Sequence, residues 1–497
     1  MPNRQTVGAI AIRIPAETLE LLTRLRAILA AHGAEGFLVG GAVRDLVIPR
    51  ATADIDVAAT GNARQLAEAI AKALQGHFVP LDEERHVYRV VLSAGTNYID
   101  LSALQGTLRQ DLLRRDFTIN ALALPLERIE APDPASRIVD PTGGLQDIAA
   151  RRIRLVSEQA LSDDPIRLLR AVRQAAELDF VIDPGAEATM RREAHRIAGV
   201  SPERVRDEFC RILGHIGAAA RLQQLDDYRL LTAVIPELEA SRDCGQPKEH
   251  YWDVLQHSMQ IVGYVEHVAR LAPPGDSPVA DIPWNETFIS YFTEKVSSGR
   301  SRLLLLKLSA LLHDVSKPAT KTIEPNGRIR FFGHPQTGAD VTRNIMERLR
   351  FSNRETRIVV STVLEHLRPG LISREPQGPT KRAVYRFYRD AGEAAVDTLF
   401  LSYADYLAAR GPLLEEQDWK QYSGRISGIL EAWRQASPEA KPPKLIDGHD
   451  LIEELALDPG PNVGALLEAI YEAEAAGEVT TYDQAIALAK RLREQAR

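Results

Sequence analysis

The chain has 497 residues, more than one hydrophobic core can organise, so two to four domains are expected. Hydrophobic residues at 44% and charged residues at 26% exclude a disordered chain, and a net charge of −7 argues against nucleic-acid binding over the whole surface while leaving room for a local basic groove. Two cysteines (Cys210 and Cys244) exclude a disulfide framework. The longest apolar run, Leu303 to Leu312, is too short for a bilayer, and Met1 to Ile10 carries no secretory pattern, so a cytoplasmic protein without membrane contact is expected.

Along the chain, Leu19, Leu21, Leu22, Leu25, Ile28 and Leu29 follow helical spacing between Glu17 and His32, and Gly33 is a stop signal. Phe37-Leu38-Val39 reads as a short buried strand broken by Gly40-Gly41, with a helix from about Ala42. Asp54 to Val57, Val87 to Leu92 and Tyr98 to Leu101 read as further strands. Beyond Arg152 helical periodicity dominates, as in Ile166 to Leu178 and Pro202 to Leu213. Gly245-Gln246-Pro247 reads as a boundary, Pro273 to Pro283 as a surface insertion, and Ala436 to Pro443 as a linker. The expected fold class is α+β: a mixed α/β head (1–155), a mostly α-helical neck and body (156–245), a further helical domain (246–435) and a helical tail (444–497).

Asp54 and Asp56 are the most informative pair. Side chains at i and i+2 of a strand face one way, so both carboxylates can meet one cation. Mg²⁺ bound by few carboxylates plus phosphate oxygens suits a nucleoside triphosphate. Gly40-Gly41 upstream lets backbone N–H groups approach a phosphate, and a following helix start favours an anion. Asp100 is a candidate third carboxylate and proton acceptor, or an edge-strand surface charge. Arg114 or Arg115 can grip phosphate through a guanidinium fork. Asp116 and Asn120, one turn apart if helical, can read ribose hydroxyls. Asp164 and Arg167, three apart on an expected helix, offer an acceptor beside donors. That pairing fits the amino group and unprotonated ring nitrogen shared by cytosine and adenine, and leaves groups unpaired against uracil and guanine. An ordinary helical salt bridge is the competing reading.

A second constellation is histidine-rich. His313-Asp314 follows the apolar run, with His257, His334, His366 and Asp405 around it in sequence. Imidazole and carboxylate suit Mg²⁺, Mn²⁺, Ni²⁺ or Fe²⁺ better than a thiolate zinc site, and a pair of metals can activate water against a phosphate ester. Lys317, four residues after His313, shares its face if the helix continues and can bind phosphate.

Gly40-Gly41-Ala42-Val43-Arg44-Asp45 followed by Asp54-Ile55-Asp56 resembles the signature of class II CCA-adding enzymes and bacterial poly(A) polymerases. Arg114 to Ala121 is similar to that family's second motif, Asp163 to Arg167 with Arg170 and Arg173 to its base-recognition motif, and Ser201 to Arg204 with Glu208 to the next. The resemblance implies a template-independent nucleotidyltransferase acting on tRNA with CTP and, in full CCA addition, ATP. It implies Mg²⁺ on Asp54 and Asp56, Asp116 selecting ribose over deoxyribose, and nucleotide binding by Gly40, Gly41, Arg44, Arg114, Arg115, Asn120, Asp164, Arg167, Arg170 and Arg204. Two departures stand out: Asp163 where the family usually has Glu, and a short interval between Leu101 and Asp111. In this family a shortened loop accompanies enzymes that add only the two cytidines, so CC-only and complete CCA addition are both open. The second constellation resembles the HD phosphohydrolase superfamily, which implies a divalent metal on His257, His313, Asp314 and Asp405, with His334 and His366 as additional ligands. A degenerate HD fold serving as an RNA-binding scaffold is the alternative. Gly448-His449-Asp450-Leu451 and Gly460 to Gly464 resemble the tail of HD-bearing tRNA nucleotidyltransferases. The rivals are a poly(A) polymerase, a phosphohydrolase whose head only binds RNA, and a non-catalytic RNA-binding protein.

Overall fold

The computed structural model describes residues 14–48, 54–92, 98–131, 133–270, 282–374, 378–435 and 445–495, with residues 12 and 50. The side chains of residues 54 and 433–435 lie outside the description, as do nearly all of the expected insertion and the whole of the expected linker. The chain divides into two compact units, residues 1–208 with 224–234, and residues 209–223 with 235–497.

The first unit is built on a six-stranded sheet in the order β3-β4-β5-β2-β1-β6. Its strands are β1 (Gly36–Val39), β2 (Asp54–Ala59), β3 (His77–Asp82), β4 (Val87–Val91), β5 (Tyr98–Ala103) and β6 (Ala123–Pro125). β2 and β5 run parallel, with Asp56 opposite Asp100, and the other pairs are antiparallel. β3 and β6 are the strands that the sequence pattern does not announce, and both contain proline. Pro80 and Pro125 are tolerated because these are the sheet edges, where a missing N–H breaks no central ladder.

Around the sheet lie α1 (Ala16–Ala31), α2 (Gly41–Val47), α3 (Ala63–Leu74) and α4 (Leu108–Leu113). α3 is capped by the Asn62 side chain, which accepts from the Gln65 N–H, and stops at Gln75 in the left-handed region. Then come α5 (Gly144–Ala149), α6 (Gln159–Asp163), α7 (Arg167–Leu178), α8 (Pro184–Glu193), α9 (Pro202–Gly214), α10 (Ala218–Asp227) and α11 (Leu230–Val234). α7 buries Leu168, Leu169, Ala171, Val172 and Ala175 together with one uncharged polar side chain, Gln174.

The second unit contains α12 (Val254–Val268), α13 (Glu286–Thr293), α14 (Arg302–Leu312), α15 (His334–Arg348), α16 (Asn353–Glu365), α17 (Arg368–Ser373), α18 (Lys381–Ala391), α19 (Ala395–Arg410) and α20 (Glu416–Gln435). Every residue of α14 is buried, as expected of a helix apolar on nearly all sides. Its one lysine, Lys307, is 1% exposed and is satisfied in full. The Lys307 Nζ donates to the carbonyls of Leu213 (3.0 Å) and His215 (2.9 Å) at the end of α9 and to Glu266 at 2.7 Å. Glu266 in turn accepts the N–H groups of Gly217 and Ala218, which open α10. One buried ion pair therefore closes a helix end and caps a helix start. The tail helices α21 (Gly448–Leu455), α22 (Pro461–Ala476) and α23 (Tyr482–Gln495) have a core of their own, including Leu451, Val463, Ile470 and Ile486. Among the described residues no helix is long and apolar enough to cross a membrane.

Candidate functional sites

In the first unit Gly40 closes β1 at φ +69°, the left-handed region that glycine enters without strain. A Cβ there would stand 3.0 Å from Arg115 Nη1 and 3.5 Å from Asp56 Oδ2. The glycine thus keeps a cradle open between a cation and a carboxylate, at the mouth of α2. Asp54 opens β2, and its side chain is outside the described residues.

Asp100 sits on an interior strand, which removes the edge-strand alternative. Both of its oxygens are taken by the cross-strand Arg89, at 2.7 Å to Nε and 2.7 Å to Nη2, and Arg89 also stacks on Tyr98. Each oxygen keeps a second lone pair, so the carboxylate is oriented by Arg89 without being saturated.

The segment carrying Asp116 and Asn120 is not an α-helix. Phe117 is extended and Thr118–Asn120 forms a single 3₁₀ turn, yet the two side chains meet directly, the Asn120 amide donating to Asp116 Oδ1 at 3.0 Å. The same oxygen accepts the Phe117 N–H at 2.8 Å, while Oδ2 faces Arg170 Nη1 at 3.2 Å. Asn120 accepts from Arg44 (2.7 Å), which also holds Asp45, and donates to Gln174 (3.1 Å). Asn120 is thus a hub, with both amide N–H groups directed to Asp116 and Gln174 and its oxygen to Arg44. Burial pushes the Asp116 carboxyl up, but Arg170 and the Asn120 amide outweigh it and hold the group below the usual range. Arg170 and Arg173 converge on Glu208 at 3.5 and 2.6 Å.

Asp164 and Arg167 do not share a helix. Pro165 disfavours helical geometry in the residue before it, so α6 ends at Asp163, Asp164 is extended (φ −148°), and α7 starts at Arg167. Asp164 Oδ2 instead meets Arg204 at 2.8 Å and, more loosely, Arg85 at 3.8 Å. Arg167 is pinned to the carbonyls of Ala160 and Arg114, leaving its buried Nε without a hydrogen-bond partner among the described residues. Arg114 itself reaches Gln105, and Arg115 reaches Asp111. Arg85, Arg89 and Gln174 were missed in the sequence. Only Gln174 carries a local signal, an uncharged polar residue on the apolar face of a helix.

The second unit brings six side chains into one cluster. His257, His313 and Asp314 form one triad of potential ligand atoms, and Asp314, His334 and His366 form another. Asp314 Oδ2 lies 3.0 Å from His313 Nε2 and 3.7 Å from His257 Nε2, while Oδ1 lies 3.4 Å from His334 Nε2 and 3.8 Å from His366 Nε2. Asp405 Oδ1 joins the first triad, 3.0 Å from His257 and 3.6 Å from His313. The tautomers are set by the backbone, since Nδ1 of His313, His334 and His366 bonds the carbonyls of Ala310, Phe331 and Val363. Each Nε2 is thereby left as a lone-pair donor, the arrangement metal-bound histidines adopt. Asp314, 1% exposed, has both oxygens buried among these ring nitrogens, with Lys317 Nζ 2.7 Å from Oδ2. The donor set fits two divalent cations sharing one carboxylate. Burial lowers the His366 pKa to about 3, helped by His313, which keeps the ring neutral. Burial also opposes charge on His313, but Asp314 overrides it and lifts the imidazole to about 10, a proton that a cation would displace.

Lys317 does not extend the helical face, because α14 ends at Leu312. Its Nζ is bound to Asp314 Oδ2 at 2.7 Å and to Gln246 at 2.7 Å, so it serves the carboxylate and is not held out for a phosphate.

Three family descriptions match the sequence: "Poly A polymerase head domain" over residues 36–154, "Probable RNA and SrmB- binding site of polymerase A" over 179–241, and "HD domain" over 250–410. The A-adding tRNA nucleotidyltransferase of Deinococcus radiodurans is 35% identical over 465 residues, covering 92% of this chain and 95% of that protein. The CC-adding tRNA nucleotidyltransferase of Thermus thermophilus is 31% identical, covering 91% and 92%. In fold, the chain is similar to the Thermotoga maritima CCA-adding enzyme complexed with tRNA, with a TM-score of 0.60 at 20% identity over 96% of both chains.

Proposed function

The chain belongs to the family of CC- and A-adding tRNA nucleotidyltransferases, and on that premise we propose that it extends the 3′ end of tRNA with CMP. The carrying observation is the link between β5 and α4. It is four residues long (104–107) and ends in a capping box, Thr107 accepting from the Gln110 N–H while Gln110 reaches back to the Thr107 N–H. A tied-down link of this length offers no lever with which to rebuild the pocket for ATP. The full-length relatives include both specificities and do not decide between them.

In this reading Asp54 and Asp56 would hold Mg²⁺, and the ion would supply a lower pKa for the nucleophile and charge neutralisation for the leaving pyrophosphate. Gly40, Gly41 and Arg115 bracket the triphosphate. Asp116 offers Oδ2 to the ribose hydroxyls, its other oxygen being spent. Asp164, oriented by Arg204, accepts from the exocyclic amine of the base, and the unspent Nε of Arg167 donates to the adjacent ring nitrogen. Uracil and guanine then face an acceptor with a carbonyl and leave both groups unpaired. Asp100 holds Arg89 in place. The proposed domains are a head to about residue 155, a neck and body to 245, an HD domain to 435 and a tail from 444.

The test is extension of tRNA lacking its CCA end with each nucleotide separately. CTP alone should add two residues and ATP none, and Asp56→Ala should abolish the reaction. Addition of AMP to tRNA already ending in CC would overturn the CC-only assignment, and efficient extension of unrelated RNA by ATP would favour the poly(A) polymerase.

The six-residue cluster supports a second activity, metal-dependent hydrolysis of a phosphate ester in the HD domain: its four imidazoles and two carboxylates would hold divalent cations, which would supply the activation of water. Asp314→Asn should abolish it and leave CMP addition intact.

A further inference from the structure

Gln174 is 5% exposed among the buried apolar residues of α7, and nothing above gives it a task. Its Oε1 accepts from Asn120 at 3.1 Å. The orientation of that bond is forced by the neighbours. Arg44 can only donate, so it must face Asn120 Oδ1, and ionised Asp116 can only accept, so it must face Asn120 Nδ2. The second N–H of the Asn120 amide then has to meet an acceptor, and Gln174 supplies it. With that bond made, both N–H groups of the Asn120 amide are committed and its oxygen is held by Arg44, which fixes the plane from three sides. Asp116 Oδ1 is in turn saturated by Asn120 and Phe117, and the carboxylate is left to present Oδ2, shared among the described residues with Arg170.

We propose that Gln174 is a positioning residue for sugar selection, fixing through Asn120 which oxygen of Asp116 meets the ribose of the incoming nucleotide. This rests on the reading of Asp116 as the ribose-facing carboxylate. Without an acceptor at position 174 one buried Asn120 N–H is left unpaired, the amide tilts toward another partner and away from its best geometry with Asp116 Oδ1, and the carboxylate is held less firmly with one edge toward the sugar. Discrimination between ribose and deoxyribose then falls while binding of base and triphosphate persists.

The experiment measures kcat/KM for CTP and dCTP on tRNA lacking its CCA end, using the full chain and three variants. Gln174→Met keeps the length and removes the acceptor, Gln174→Glu keeps the acceptor, and Asp116→Ala tests the underlying reading. Thermal melts of each variant verify folding. The expected result is a roughly five- to tenfold loss of CTP-over-dCTP preference in Gln174→Met, the size of one buried hydrogen bond, with preference retained in Gln174→Glu. Unchanged preference in Gln174→Met alongside a collapsed preference in Asp116→Ala overturns the role of Gln174 alone. Equal losses for both nucleotides in Gln174→Met and Gln174→Glu also overturn it, as the mark of a purely structural residue. Unchanged preference in Asp116→Ala overturns the reading of Asp116 and this inference with it.

Discussion

Lys307→Met is the sharpest probe of how the second unit is held together. The substitution keeps the volume of the side chain and deletes its charge inside a fully buried helix. Glu266, 3% exposed, is left with its backbone bonds to Gly217 and Ala218 but without the ammonium at 2.7 Å. Removing one partner of a buried pair typically costs about 3–5 kcal/mol, because the remaining charge stays buried. The Leu213 and His215 carbonyls also lose their donor, at roughly 1 kcal/mol each, although losses within one network do not simply add. An overall loss of about 3–5 kcal/mol is expected. Adding Glu266→Gln, which removes the stranded charge and keeps an acceptor for α10, should restore roughly 1–2 kcal/mol. The four tryptophans, at positions 252, 284, 419 and 433, all belong to the second unit, so urea unfolding followed by tryptophan fluorescence reports on it without a signal from the head. A loss below about 1 kcal/mol in the single variant, or a further loss in the double, would refute the reasoning.

Three other expectations follow from the geometry. Calorimetric titration with Mn²⁺ of a chain carrying Asp56→Ala, which removes the proposed cation site of the head, should find two cations, one after adding His366→Ala and none after adding Asp314→Asn; a single cation before those additions would contradict the shared-carboxylate arrangement. Arg204→Ala should raise misincorporation of UMP relative to CMP by roughly 5- to 30-fold, the value of one charge-assisted bond discounted for the exposure of Arg204, because Asp164 loses its shortest ion pair among the described residues; unchanged selectivity in single-nucleotide assays would remove Arg204 from base recognition. Burial pushes the Glu355 carboxyl up, yet Arg300 at 2.6 Å and Ser352 hold it below its ordinary 4.5. Its contribution is therefore complete above pH 4.5 and lost as pH falls through the folded value, so Glu355→Gln should lower stability at pH 7 and flatten the acid limb of the urea midpoint. An acid limb identical to that of the parent chain would show that other carboxylates govern it.

Much of the architecture was legible because the sequence states it locally. The strand Phe37-Leu38-Val39, the strand opened by Asp54 and the helix over Leu303 to Leu312 are apolar runs with clear punctuation, and they occur where the pattern puts them. The edge strands β3 and β6 were hidden because edges accept proline and need no alternation. Side-chain partnerships were the hard part. Asp164 and Arg167 look like helical neighbours by spacing, but Pro165 breaks the helix between them and hands Asp164 to Arg204, forty positions away. Asp100 pairs with Arg89 across strands, a register that no single segment reveals. The histidine cluster was easier to collect, since few residue types can serve it and each imidazole is a rare event in a chain with 12 histidines.

Asp314 lends one oxygen to each half of the HD cluster. Loss of that one carboxyl group therefore silences both halves together, and a partial change to the cluster spares a half only if it falls on His257, His313, His334, His366 or Asp405. A lineage drifting from hydrolysis toward a purely architectural HD fold has in this position a one-step exit, and a lineage retaining the chemistry has a single point at which it must not yield.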